Sequence, residues 1–126
     1  MVQVDISQLS SVCNGWREQL RQFREELTAD ENRLTKVASN PLSRDQLQEV
    51  EHLHNQFHIQ LINIHDLKQA IKVHDRKMNF EKVAFNGLVN EDSLGRHEIL
   101  MQEYLDLKQT LQNLRTKFND FIKRTQ

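Results

Sequence analysis

Apolar residues recur along this chain at alternating steps of three and four residues, over three long stretches. This spacing is typical of amphipathic α-helices that bury one face. The middle stretch would be roughly 65 Å long as a helix, too long for a compact globule and normal for a rod in a bundle. Its inward positions are Val50, Leu53, Phe57, Leu61, Ile64, Leu67, Ile71, His74 and Met78.

Both ends of this middle helix carry local signals. Ser43 follows the only proline of the chain and can cap the amide three residues further on. Gly87 can adopt the left-handed conformation after the last turn, and Leu88 would then contact Val83. The pattern predicts a helix over residues 43–85.

The first and last stretches repeat apolar residues as heptads and predict helices over residues 6–38 and 91–124. Asp30 is the one charged residue at an inward position of the first heptad, and we expect it to be solvated or paired with a basic side chain. The first heptad comprises Ile6, Leu9, Cys13, Trp16, Leu20, Phe23, Leu27, Leu34 and Val37, and the last comprises Leu100, Tyr104, Leu107, Leu111, Leu114, Phe118 and Phe121.

The two connections span only about three or four residues each, so consecutive helices must lie antiparallel. The predicted fold is all-α, an antiparallel up-down-up three-helix bundle with long helices, short turns and coiled-coil-like packing. We expect residues 1–126 to form a single domain, because no linker or repeat divides them.

When the helices are laid side by side, counting residues outward from the connecting turns, Leu20 lies level with Leu61 and the first helix ends near the level of Asp75. The second connection would then lack a third helix to cover its apolar side chains, which suggests an interface for self-association or for another protein. The alternatives are a hairpin that closes on itself, or a second helix that ends earlier with a folded loop. The side chains concerned, here called the tip residues, are Met78, Phe80, Val83, Phe85, Leu88, Leu94 and Ile99.

Charge does not point to a class of partner. The formal net charge is −1 and the two signs are interspersed, which argues against nucleic acid and anionic membrane as partners. A short basic strip at Lys68, Lys72 and Arg76 is interrupted by acidic neighbours and indicates a solvated helix face. Without a spanning segment or a signal peptide, the expected location is cytoplasmic.

Six histidines in a chain of 126 residues raise the question of a metal site. His54, His58 and His65 project to one side of the second helix, and Glu51 precedes His54 at the spacing that di-iron helices use. These side chains flank the buried face rather than enter it. They are interpreted as partly exposed histidines bonded to polar neighbours, with a zinc site as the alternative.

Catalytic motifs are missing from the sequence: it has no phosphate-binding glycine loop, nucleophile elbow or zinc-protease motif. Cys13 falls on a buried heptad position and is interpreted as a small core residue. His74 and His97 occupy inward slots, where core histidines satisfied by hydrogen bonds are commoner than pH-sensitive ones. We expect no enzymatic activity and no cofactor.

Two segments carry a family resemblance. Residues 16–27, WREQLRQFREEL, and residues 49–57, EVEHLHNQF, resemble stretches of small uncharacterised all-helical bacterial proteins. That resemblance implies a helical bundle with no assigned activity. The early Trp16 is also similar to the tryptophan of spectrin-type repeats, although the tight turns and single unit differ from them.

The sequence therefore predicts a non-enzymatic helical scaffold or protein-interaction module that self-associates or binds another protein. The leading alternative is a metal-binding helical protein that uses the histidines of the second helix. A third possibility is a regulatory binder, for which no sequence feature selects a target.

Overall fold

The computed structural model describes residues 1–125 and has the predicted architecture. Helix α1 spans Ile6–Ala38, α2 spans Arg44–Ala84 and α3 spans Glu91–Thr125. Every pair of helices is in contact, so the three rods form an antiparallel bundle. The predicted all-α class is confirmed, and each helix boundary lies within one residue of its prediction.

The start of α2 has the predicted capping box. The Ser43 hydroxyl accepts from the Gln46 amide at 3.2 Å, and the Gln46 side chain accepts from the Ser43 amide at 2.8 Å. At the start of α1, the Asp5 carboxylate accepts from the amide of Gln8 at 3.1 Å. These contacts satisfy amides that have no partner within the helix, which explains why both helices begin where the sequence indicates.

The end of α2 differs from its prediction by one residue. The Gly87 amide donates to the Lys82 carbonyl at 2.9 Å, the long bond of a Schellman motif. This bond makes Asn86, with φ of 52°, the first left-handed residue, and Gly87 follows with φ of 87°. Val83 remains 83% exposed, so the predicted packing of Leu88 on Val83 is wrong.

Leu88 belongs instead to a short ribbon that the sequence did not predict. Strand β1, Val2–Gln3, pairs antiparallel with β2, Leu88–Val89, with Val2 opposite Val89 and Gln3 opposite Leu88. Strands of two residues are too short to show an alternating pattern. The ribbon lies over the connection between α2 and α3, and Val89 is fully buried.

The expected register of α1 against α2 is wrong by one to two helical turns. Lys82 Nζ donates to Ser7 Oγ at 3.3 Å, so α1 reaches the last turn of α2 instead of ending near Asp75. At the opposite end of the bundle, Arg124 near the end of α3 donates to Glu49 of α2 at 2.6 Å.

Two buried carboxylates in the bundle are paired. Asp30 is 2% exposed and accepts from Arg115 Nε at 2.8 Å, which confirms its pairing with a basic side chain. Glu81 is 5% exposed and accepts from the Ser93 hydroxyl at 2.9 Å and from the Asn90 amide at 3.3 Å. Glu81 therefore ties the end of α2 to the start of α3.

None of the helices described has a window apolar enough to cross a membrane.

Candidate functional site

The tip residues do not form one open apolar surface. Met78 is fully buried and Leu94 is partly buried, because α1 extends far enough to cover that part of the bundle. Leu88 is half-buried in the ribbon. The region beyond Asp75, which was expected to lack a covering third helix, is therefore covered in the part of the chain that the structure describes. The tip residues that remain exposed are Phe80, Val83, Phe85 and Ile99.

Two of these exposed residues belong to a longer apolar row on the outer side of α2. At 100° per residue, its members fall within a sector of about 120°, nearly opposite the buried face of the helix. Their exposed fractions range from 45% to 83%. This row, here called the outer stripe, consists of Ile59, Ile62, Val73, Phe80 and Val83.

The outer stripe has heptad spacing. Steps of three and four residues lead from Ile59 to Val83, and three exposed polar residues, Asp66, Gln69 and Arg76, fill the remaining positions. A helix that is apolar on two opposite faces can pack on both. The bundle uses only one of these faces, so the outer stripe is available to a partner.

The residues proposed from sequence as metal ligands are not brought together. Glu51, His54, His58 and His65 are all exposed on α2. His54 Nδ1 lies 3.8 Å from a carboxylate oxygen of Glu31. Exposed flank histidines with polar neighbours were the expected arrangement, and the structure places His54 in that way.

A different set of ligand-type side chains meets inside the bundle, one from each helix. The Cys13 Sγ atom lies 3.9 Å from His97 Nδ1, and His74 Nε2 lies 3.1 Å from the same nitrogen. Within residues 1–125, these three form the one group of cysteine, histidine and acidic residues whose candidate ligand atoms all lie within 4.8 Å of one another. All three side chains are buried.

Aromatic rings enclose one side of this cluster. The Trp16 ring lies 5.0 Å from the His97 ring between centroids, and it stacks on Tyr104 at 5.8 Å. On another side, His74 lines a cavity of about 490 Å³ between α2 and α3, together with Lys77 and Arg96. The cluster therefore lies between an aromatic wall and a cavity with cationic side chains.

Burial keeps the cluster uncharged near neutral pH. It raises the pKa of the Cys13 thiol to about 11, with Asp75 adding to the effect. It also lowers the pKa of His74 to about 4, helped by His97 and Arg96, and lowers the pKa of His97. Neutral imidazoles have a free lone pair on one nitrogen, the form that binds a metal ion.

The sequence indicated that Cys13, His74 and His97 each point inward but did not indicate that they meet. With the expected register, Cys13 would have lain more than a turn away from His74. The offset between helices depends on how the connections and side chains pack, which heptad spacing alone does not encode. The missing information was the register.

Comparisons of this chain with protein-family models, with curated proteins and with solved structures find no match.

Proposed function

We propose that the protein is a non-enzymatic helical scaffold that assembles as a homodimer through the outer stripe of α2. The observation that carries this proposal is the order of residues along the stripe: on reversal, apolar residues coincide with apolar residues at both ends, and Asp66 coincides with the oppositely charged Arg76. A surface of that kind is self-complementary under two-fold symmetry, as the interface of a symmetric dimer must be.

The matching is seen when a second α2 is laid antiparallel on the first, about a two-fold axis at the level of Ile71. Each heptad position then faces its counterpart in the layers expected of an antiparallel coiled coil. Apolar residues meet apolar residues at both ends, and the two charged positions meet each other. There are four kinds of layer, and the two-fold axis generates each of them twice. They pair Ile59 with Val83, Ile62 with Phe80, Asp66 with Arg76, and Gln69 with Val73.

Charge specifies the antiparallel orientation. In that orientation Asp66 of each copy faces Arg76 of the other, so the dimer contains two ion pairs of opposite charge. A parallel pairing in the same register would place Asp66 against Asp66 and Arg76 against Arg76. Such like-charge contacts disfavour the alternative arrangement.

The apolar area is sufficient for a modest interface. From their exposed fractions, the five side chains of the outer stripe present roughly 500 Å² per copy, so a dimer would bury roughly 1,000 Å², near the lower end for specific interfaces. Because the stripe lies opposite the buried face, a second copy can approach without disturbing α1 or α3. We expect a dimer that dissociates on dilution.

We retain a cytoplasmic location as part of the proposal. Binding of a different protein to the outer stripe is the competing outcome, and it would leave the isolated chain monomeric.

Light scattering behind a sizing column, over a range of protein concentrations, tests the proposal. We expect the wild type to shift from monomer to dimer, and Ile62→Lys to remain monomeric under the same conditions. Ile99→Lys is the matched control, because Ile99 is 52% exposed against 48% for Ile62 but lies on α3. A monomeric wild type at every concentration, or equal loss of dimer in both variants, would contradict the proposal.

A further inference from the structure

We infer that Cys13, His74 and His97 form a binding site for a single thiophilic divalent metal ion, with zinc as the best match. The ligand atoms would be Sγ of Cys13, Nε2 of His74 and Nδ1 of His97. Each helix of the bundle supplies one ligand, so the ion would connect all three. None of the three ligands belongs to the outer stripe, although Val73 of the stripe also lines the cavity beside His74.

Two of the three separations between the ligand atoms are close to those of a tetrahedral zinc site. With bonds of about 2.0–2.1 Å to nitrogen and about 2.3 Å to sulfur, a regular tetrahedron separates two nitrogens by about 3.3 Å and a sulfur from a nitrogen by about 3.6 Å. The observed distances are 3.1 Å between His74 Nε2 and His97 Nδ1, and 3.9 Å between Cys13 Sγ and the same nitrogen. These two distances differ from the tetrahedral values by about 0.2 and 0.3 Å, and the candidate ligand atoms of Cys13 and His74 lie within 4.8 Å of each other.

The donor set selects the class of metal. One thiolate and two imidazoles suit zinc, cobalt and copper, whereas magnesium and calcium prefer oxygen ligands. The three ligands come from buried positions on rigid helices, so little conformational entropy is lost when they bind an ion. This preorganisation distinguishes the cluster from the exposed histidines of α2.

The His74 ring nitrogen that is not a proposed ligand faces no hydrogen-bond partner among residues 1–125. His74 has a partner for Nε2, but its buried Nδ1 has none within the described residues. A core histidine kept only for packing is expected to satisfy both ring nitrogens. The side chain lines the cavity between α2 and α3, which is large enough for a water molecule or a small anion beside the ring.

Binding of the ion requires one proton to leave. The Cys13 thiol gives its proton to solvent and coordinates as thiolate. The hydrogen bond between His74 Nε2 and His97 Nδ1 places a proton on one of these two nitrogens, so that histidine must move its proton to its other ring nitrogen before both can bind the ion. The raised pKa of the Cys13 thiol means that the metal must displace this proton, so binding and proton release are coupled. A metal ion with one thiolate leaves a single net positive charge in the cluster.

Of the three ligands, His74 lines the cavity, and a fourth ligand would have to reach the ion from that side. Three protein ligands with one open position are typical of zinc sites that hold a water molecule or an exogenous ligand. Ser93, Lys77 and Arg96 line this cavity beside His74. The Ser93 hydroxyl already donates to Glu81, so the cationic side chains of Lys77 and Arg96 would be the groups that stabilise a small anion as the fourth ligand.

Metal titration of the 126-residue chain, purified without a histidine tag and treated with a chelator, tests the site. Cobalt(II) should bind one ion per chain with a sulfur-to-metal charge-transfer band and the strong visible bands of tetrahedral cobalt, and zinc should displace it. Cys13→Ala should abolish the charge-transfer band and weaken zinc binding by at least about tenfold, the lower range for loss of even an outer-shell partner. If Cys13→Ala does not fold, Cys13→Ser provides the same readout with a side chain of similar volume.

The control is the double variant His54→Ala and His58→Ala, which removes two exposed histidines of α2 and should bind as the wild type does. The inference is overturned if the wild type binds no stoichiometric cobalt or zinc. It is equally overturned if binding survives the loss of Cys13 unchanged, or if the control variant loses the metal.

Discussion

Arg115 of α3 donates from Nε to the carboxylate of Asp30 on α1 at 2.8 Å, and this pairing explains how a charged residue is tolerated in the first heptad. Asp30 is 2% exposed, whereas the Arg115 side chain is 35% exposed. The carboxylate is thus the buried partner and the guanidinium extends to the surface. Removing the arginine would leave the carboxylate buried with only Arg33, 3.9 Å away, for compensation.

We expect Arg115→Ala to lower the free energy of unfolding by about 3 kcal/mol, the lower range for breaking a buried ion pair. Replacing both partners, Asp30→Leu with Arg115→Leu, should restore most of that loss because no unpaired charge remains. Urea unfolding followed by circular dichroism measures both variants. An Arg115→Ala protein as stable as the wild type would show that water, and not Arg115, compensates the carboxylate.

The ribbon formed by β1 and β2 also has a measurable consequence. Val89 of β2 is fully buried, and loss of two buried methyl groups costs about 2 kcal/mol when the surroundings do not collapse. We expect Val89→Ala to lower the free energy of unfolding by this amount. Val12→Ala is the comparison, at a valine that is 39% exposed on α1, and it should change stability by less than about 0.5 kcal/mol. Equal effects would mean that the ribbon does not seal the connection.

The sequence was sufficient to predict the helices, because capping and hydrophobic spacing are local signals. Ser43 and the heptads specify where each rod begins and which face it buries, and the structure agrees. The C-terminus of α2 was harder to predict, since Asn86 and Gly87 can both adopt positive φ. Which of the two ends the helix depends on the bond from Gly87 to Lys82, and a residue type alone does not determine it.

The axial register of the helices relative to one another could not be predicted in the same way. A heptad repeats every two turns, so a helix shifted by a whole repeat presents the same inward face to its neighbour. The shift of α1 buries Met78 and brings Cys13 beside His97, and the expected register did neither. The sequence did not predict the outer stripe for another reason. Most of its apolar residues are not tip residues, and they lie outside the buried face of α2.

Two charge-reversing substitutions, Asp66→Arg and Arg76→Asp, made in separate variants, test the proposed dimer most directly. In Asp66→Arg homodimers, arginine would face arginine in two layers, and in Arg76→Asp homodimers, aspartate would face aspartate. Each variant alone should therefore associate about tenfold or more weakly than the wild type. Both residues are exposed in the isolated chain, so its fold and stability should be unaffected.

Sedimentation velocity of the two variants, separately and mixed in equal amounts, gives the decisive result. In a mixed dimer the arginine introduced at position 66 of one copy faces the aspartate introduced at position 76 of the other, and the native Arg76 and Asp66 face each other in the second layer. We predict monomers in the separate samples and dimers in the mixture, at concentrations where the wild type is dimeric. A mixture that sediments as monomer, or separate variants that dimerise as the wild type does, would contradict antiparallel pairing through α2.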